Sequence, residues 1–170
     1  MNLFNVGDTV VYPNQGLGVV EEIGVRHVAG HEVEVYHILL QEFGSRVMVP
    51  LDNAVSIGLR KPTPALEVER VLSRVKSRPL GVIDPVRDWK TRYKDNTERL
   101  KSGRLEEAIQ VLQMLTILAR NKPLSFREKR MYDKVRVLVI SEIAAVKGLT
   151  PAEVETLLDG LIGPPPAETA

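Results

Sequence analysis

The 170-residue chain carries 23 Lys and Arg against 22 Asp and Glu, has a single tryptophan and no cysteine, and is 44% apolar. That profile belongs to a soluble globular protein of one or two domains; it excludes a disordered or collagen-like chain, a disulfide framework, thiolate metal sites and a thiol nucleophile. No signal-peptide pattern opens the sequence and no apolar run nears the ~18 residues of a membrane span, so a cytoplasmic protein with no membrane partner is expected.

Up to residue 51 the apolar runs are short and rich in valine: Thr9-Val10-Val11-Tyr12, Gly18-Val19-Val20-Glu21-Glu22-Ile23, Val33 to Leu40, and Arg46-Val47-Met48-Val49. Turn residues separate them, at Pro13-Asn14-Gln15-Gly16, Ala29-Gly30-His31 and Phe43-Gly44-Ser45. Four strands joined by short turns read as a meander. About fifty residues cannot fill a two-sheet sandwich, so a strongly bent sheet closing into a Tudor/SH3-like β-barrel is predicted for residues 1–60.

From Thr63 the period becomes helical. Thr63-Pro64 marks a start, with Leu66, Val71, Leu72 and Val75 on one face. Asp84-Pro85 marks a second, followed by a stripe of Val86, Trp89, Tyr93 and Leu100 that stops near Ser102-Gly103. Leu105 to Leu118 is apolar around so much of its surface that it reads as a central helix. Ser125-Phe126-Arg127-Glu128 and Thr150-Pro151-Ala152-Glu153 are capping boxes, opening a helix that runs to Gly148 and a last one that ends before Gly163. The expected architecture is therefore α+β: the barrel, a compact all-helical domain over residues 63–162, and a disordered tail, 163–170. The boundary is expected between Ile57 and Pro64.

Charge changes along with the period. Residues 1–60 hold three cations and seven anions, a net −4, whereas residues 61–103 hold eleven cations and six anions, a net +5. Seven more cations crowd residues 120–136, opposed there only by Glu128 and Asp133. The near-neutral total conceals this segregation.

Catalytic chemistry is poorly served. His27 and His31 could face each other across the Ala29-Gly30 turn, but two histidines without a matching carboxylate or thiolate are half a metal site, and surface histidines on a hairpin are the favoured reading. Gly16-Leu17-Gly18 precedes a strand, whereas a phosphate loop needs a helix N-terminus in that place. No enzyme, metal or cofactor is expected. Two features are left. Trp89-Lys90-Thr91-Arg92-Tyr93-Lys94 sets the lone tryptophan in a basic helical segment, where it is either core or an exposed wedge meeting a base step beside phosphate-binding cations. In the acidic barrel, Arg26 and Arg46 stand nearly alone, and Val47-Met48-Val49-Pro50 reads either as an edge strand open to another protein's sheet or as a strand with Met48 packed inward.

Several stretches match a known pattern: Phe4-Asn5-Val6-Gly7-Asp8-Thr9-Val10-Val11-Tyr12-Pro13-Asn14-Gln15-Gly16, Met48-Val49-Pro50, Val55-Ser56-Ile57-Gly58-Leu59-Arg60, Trp89-Lys90-Thr91-Arg92-Tyr93 and Leu124-Ser125-Phe126-Arg127-Glu128-Lys129-Arg130-Met131. Together they resemble the CarD-like family of bacterial transcription regulators, in its stand-alone CdnL/CarD type, from about residue 3 to 162. The resemblance implies a Tudor-like domain that docks on the β subunit of RNA polymerase, through Arg26, Arg46, Met48 and Pro50. It implies a helical domain that touches promoter DNA at the upstream edge of the melting bubble and stabilises the open complex, with Trp89 as a minor-groove wedge. Lys90, Arg92, Lys94, Phe126, Lys129 and Arg130 are the other implied DNA residues; Thr91 stands where one type of member has an arginine, with Lys90 as its substitute. A cytoplasmic monomer, held at the nucleoid through RNA polymerase and with no small-molecule substrate, is expected. The competing reading, an RNA- or ribosome-associated KOW-like barrel, places the basic surface on the barrel, which is the acidic part of this chain.

Overall fold

The computed structural model describes residues 2–77 and 88–167, and the chain divides into two compact units, Met1–Pro62 and Thr63–Ala170. The first is an antiparallel meander in the order β1 (Thr9–Tyr12), β2 (Gly16–Val28), β3 (His31–Leu40), β4 (Arg46–Pro50), closed by a 3-10 turn at Leu51–Asn53. The sheet curls around Phe4, Val10, Val20, Tyr36, Ile38, Leu40, Val49, Ala54 and Leu59. Phe4 packs edge-on against Tyr36, with ring centroids 5.6 Å apart, and the Tyr36 hydroxyl accepts from the Leu3 amide at 3.0 Å. The curl comes partly from a register shift between Val20 and Glu22, where one extra residue on β2 tightens the twist.

β2 and β3 run out to a two-residue turn with φ of 49° at Ala29 and 80° at Gly30, the mirror-image turn whose twist suits a hairpin. This tight turn pairs Val28 with His31 and His27 with Glu32. Directly opposed residues share a face, so His27 and His31 point to opposite sides of the ribbon. The half metal site considered from spacing is not formed; His27 lies instead 3.9 Å from Glu32.

The second unit has five helices among the described residues: α1 (Ala65–Ser77), α2 (Trp89–Lys101), α3 (Leu105–Asn121), α4 (Phe126–Lys147) and α5 (Pro151–Ile162). α3 is the central helix that its wide apolar surface predicts, burying Leu105, Ile109, Val111, Leu112 and Leu115 against apolar rows of α1, α4 and α5. Both capping boxes form: the Ser125 and Thr150 hydroxyls accept from the Glu128 and Glu153 amides, and those carboxylates reach back to the cap amides. Gly148, in the left-handed region, ends α4.

Two helix readings need correction. Leu66, placed on the buried face of α1, is 65% exposed; Val68 takes its place beside Val71, Leu72 and Val75. α2 starts at Trp89, because Asp88 is extended (φ −65°, ψ 155°) and caps it; the Asp84-Pro85 start signal lies outside the described residues. α2 contributes no fully buried apolar side chain, and its one buried residue is Asn96. Among the described residues of the expected stripe, Trp89 is exposed, Tyr93 is half-buried and Leu100 packs against the core, so the stripe is not a continuous core face. Residues 163–167, expected as a disordered tail, have no regular secondary structure, and Pro165 and Pro166 lie beside the α3–α4 turn.

Candidate protein and nucleic-acid interfaces

The register of the first unit gathers four dispersed residues onto one surface. On β3, Val33, Val35, His37 and Leu39 point to the side opposite Tyr36 and Ile38, and their partners are Arg26 on β2 and Pro50, Met48 and Arg46 on β4. Arg26, Arg46, Met48 and Pro50 therefore share the outer face. Arg26 is opposed to Val33 and Arg46 to Leu39, so along β3 the two arginines bracket a strip roughly 20 Å long. Met48 is 59% exposed between them, which answers the question of its direction: it points outward. Arg46 donates to Glu21 while remaining largely exposed, and Arg26 is exposed near the hairpin tip. β4 pairs only with β3 and so forms one edge of the sheet.

In the second unit, two helix N-termini each display an aromatic at the first helical position. Trp89 follows the cap Asp88, which accepts from the Thr91 amide and hydroxyl, each at 3.0 Å. Thr91 is thus occupied in closing the cap. Phe126 follows the cap Ser125 and is 76% exposed; Trp89 is 38% exposed. Each ring carries a cation: the Lys90 ammonium is 5.9 Å from the Trp89 ring centre, and the Arg130 guanidinium 5.8 Å from that of Phe126. Such pairs present an apolar face and a positive charge together. Lys94 is exposed a turn further along α2. Lys129 lies on another side of α4, lining an open cleft with Arg120, Lys122 and Asp133.

Arg92 is the exception among the expected cations. Its side chain is 11% exposed, and its Nε and Nη2 atoms both lie 3.1 Å from Oε1 of Glu128, which is 1% exposed. Beside this pair, the Arg127 guanidinium, from the residue before Glu128, stacks 5.9 Å from the ring centre of Tyr93, the residue after Arg92. These two cross-links join the first turns of α2 and α4. The fold turns Arg92 inward, toward a carboxylate, and away from the exposed role expected of it. In the sequence Glu128 reads only as a cap and Arg127 only as part of a charge run; the Asp-x-x-Thr spacing at Asp88 is a legible cap that the nearby Asp84-Pro85 obscures.

Among the described residues, no group of three His, Asp or Glu is arranged to hold a metal, and no helix is long and apolar enough to cross a membrane. Comparison with known proteins gives matches to two family models: the CarD-like/TRCF RID domain over residues 4–62 and the CarD C-terminal domain over residues 80–159. A Bacillus subtilis (strain 168) protein named as a candidate transcription factor, YdeB, is 29% identical over 154 residues, covering 91% of this chain and 99% of its own. The solution structure of the 72-residue N-terminal domain of Myxococcus xanthus CarD is 45% identical, covering 34% of this chain and 77% of that one, with a TM-score of 0.30.

Proposed function

This chain belongs to the CarD-like family of transcription factors, and on that premise we propose that it holds RNA polymerase with one unit and the melted promoter with the other. The barrel is an RNA polymerase-interacting domain by family; our finer reading is that it docks on the β subunit. Its outer face supports this, since an apolar strip flanked by Arg26 and Arg46, with Met48 and Pro50 on an edge strand, fits a partner sheet that adds to β4. The net −4 of residues 1–60 disfavours DNA at this face.

The observation that carries the DNA half is the exposure of Trp89 at the head of a helix whose one apolar side chain packed on the core, Leu100, lies at the opposite end. Stability of the fold does not account for a partly exposed indole under a lysine; a base step does. A factor that binds closed and open promoter equally well shifts nothing. Trp89 inserts only where bases are unstacked, at the upstream edge of the bubble, so its contact favours the open complex. Stacking worth about 1–3 kcal/mol corresponds to roughly 5- to 150-fold in open-complex population. Lys90, Lys94, Phe126 and Arg130 extend the same surface to the backbone and groove, and Lys129 offers a further cation on another side of α4. Few phosphate contacts give weak DNA affinity, which tethering through the barrel offsets by raising the local concentration.

The test separates the two units. Removing residues 1–60 abolishes co-purification with polymerase, whereas Trp89→Ala retains it and shortens the open-complex lifetime. Unchanged lifetime in Trp89→Ala would sink the wedge, and recovery of ribosomal proteins in place of polymerase would sink the whole reading.

A further inference from the structure

We infer that Arg92 and Glu128 are a positioning pair that sets the aromatic surface, and that Arg92 makes no phosphate contact. This inference rests on the reading that Trp89 meets DNA. Glu128 divides its carboxylate between two tasks. Oε2 accepts from the Ser125 amide at 3.0 Å, completing the cap of the helix that presents Phe126. Oε1 receives Arg92 Nε and Nη2 from the helix that presents Trp89. A single acid therefore couples the two aromatic-bearing helix starts.

The need for such a coupling follows from α2 itself. Leu100 packs on the core at the far end of α2, but no apolar side chain is buried at the end that carries Trp89, and there the Arg92–Glu128 pair and the Arg127–Tyr93 stack join the helix to α4. A phosphate that took Arg92 would strand Glu128 as a buried, uncompensated charge, which is strongly unfavourable. Of the basic residues on α2's first two turns, Lys90 and Lys94 are exposed and Arg92 is not.

Glu128→Gln distinguishes the roles, because glutamine still serves in a capping box while the charge facing Arg92 is removed. A phosphate-binding Arg92 would be released by this change: promoter affinity of the polymerase complex would rise, and the slope of log K against log salt would steepen by about 0.9. A positioning Arg92 gives a different pattern. The salt slope stays as in the parent chain, the sole tryptophan becomes more accessible to acrylamide, and open-complex lifetime falls toward that of Trp89→Ala.

Should Glu128→Gln fold poorly, Arg92→Met combined with Glu128→Gln removes both charges together, a change that cores often tolerate. The inference requires this double variant to bind polymerase normally, keep the parent salt slope and show the same shortened lifetime and raised quenching. A slope shallower by about 0.9 with unchanged quenching overturns it. If Trp89→Ala leaves lifetime untouched, the wedge reading falls, but the quenching change in Glu128→Gln still decides whether the pair seats Trp89.

Discussion

Arg46 Nε donates to Glu21 Oε2 at 2.9 Å, an ion pair that reaches from edge strand β4 across β3 to the bulge of β2. The arginine side chain is 70% exposed and the glutamate 33%. Exposed pairs of this kind are worth no more than about 1 kcal/mol. Glu21 therefore orients Arg46 without adding much stability, and competes mildly with any carboxylate that polymerase offers. Glu21→Gln should tighten binding of the full chain to polymerase by up to about 5-fold, whereas Arg46→Glu should abolish co-purification. Titration of polymerase with each variant checks both; weaker binding in Glu21→Gln would mean that Glu21 belongs to the docking surface.

Met48 separates binding from folding. It is opposite His37 on the outer face and mostly exposed, so little core is lost when it changes. Met48→Lys should leave unfolding free energy within about 0.5 kcal/mol of the parent chain. Burying its side chain against a partner is worth about 1.5–3 kcal/mol, so polymerase affinity should drop at least 10-fold. A fall in melting temperature to match would assign Met48 to the fold instead.

What the sequence reveals and what it hides divide along the range of the interactions involved. β1, β3 and β4 are legible as short, valine-rich apolar runs bounded by turn residues, and α3 because its apolar surface wraps around it. β2 reads short, ending at Ile23, since Val25 to Val28 form an exposed ribbon with no apolar alternation to betray it. Arg26, Arg46, Met48 and Pro50 come together on one face only through register, which a two-residue turn and one bulge decide. Arg92 is the clearest loss: its partner is 36 residues away, and a count of cations weighs a buried, neutralised arginine the same as an exposed one. The family resemblance recovers the order of the two family domains, but the direction in which Arg92 points comes from packing between two helices.

Gly163 leaves no room for an added methyl group unless Arg120 moves. Its φ is +97°, and the Arg120 guanidinium, whose Nη2 donates to the Ile162 carbonyl at 3.4 Å, fills the space where a Cβ would stand. Gly163→Ala should destabilise the chain by about 1–3 kcal/mol through strain and collision together. In an Arg120→Ala background the collision is gone and only the strain is left, so the same substitution should cost less. Equal losses in the two backgrounds, read from denaturant unfolding, would show that Arg120 does not crowd this site.

The cap of the tryptophan helix sets a pH limit on the seat of Trp89. Asp88 is held below the usual carboxylate range first by the Thr91 amide and then by the Thr91 hydroxyl, with Lys90 adding to the effect. A carboxyl whose pKa is lower in the folded than in the unfolded chain contributes stability above its unfolded value, and loses it as pH falls through the folded one. From pH 8 to 5 the Asp88 carboxylate is ionised in both states, so the seat of Trp89 should not depend on pH there. In stronger acid the cap protonates, donors at the head of α2 lose their acceptor, and the emission of the sole tryptophan should change before global unfolding. Asp88→Asn keeps an acceptor that cannot titrate, and should remove this early acid step while leaving the spectrum at pH 7 intact. An acid step that persists in Asp88→Asn would assign the transition to another carboxylate and deny Asp88 its part in holding Trp89.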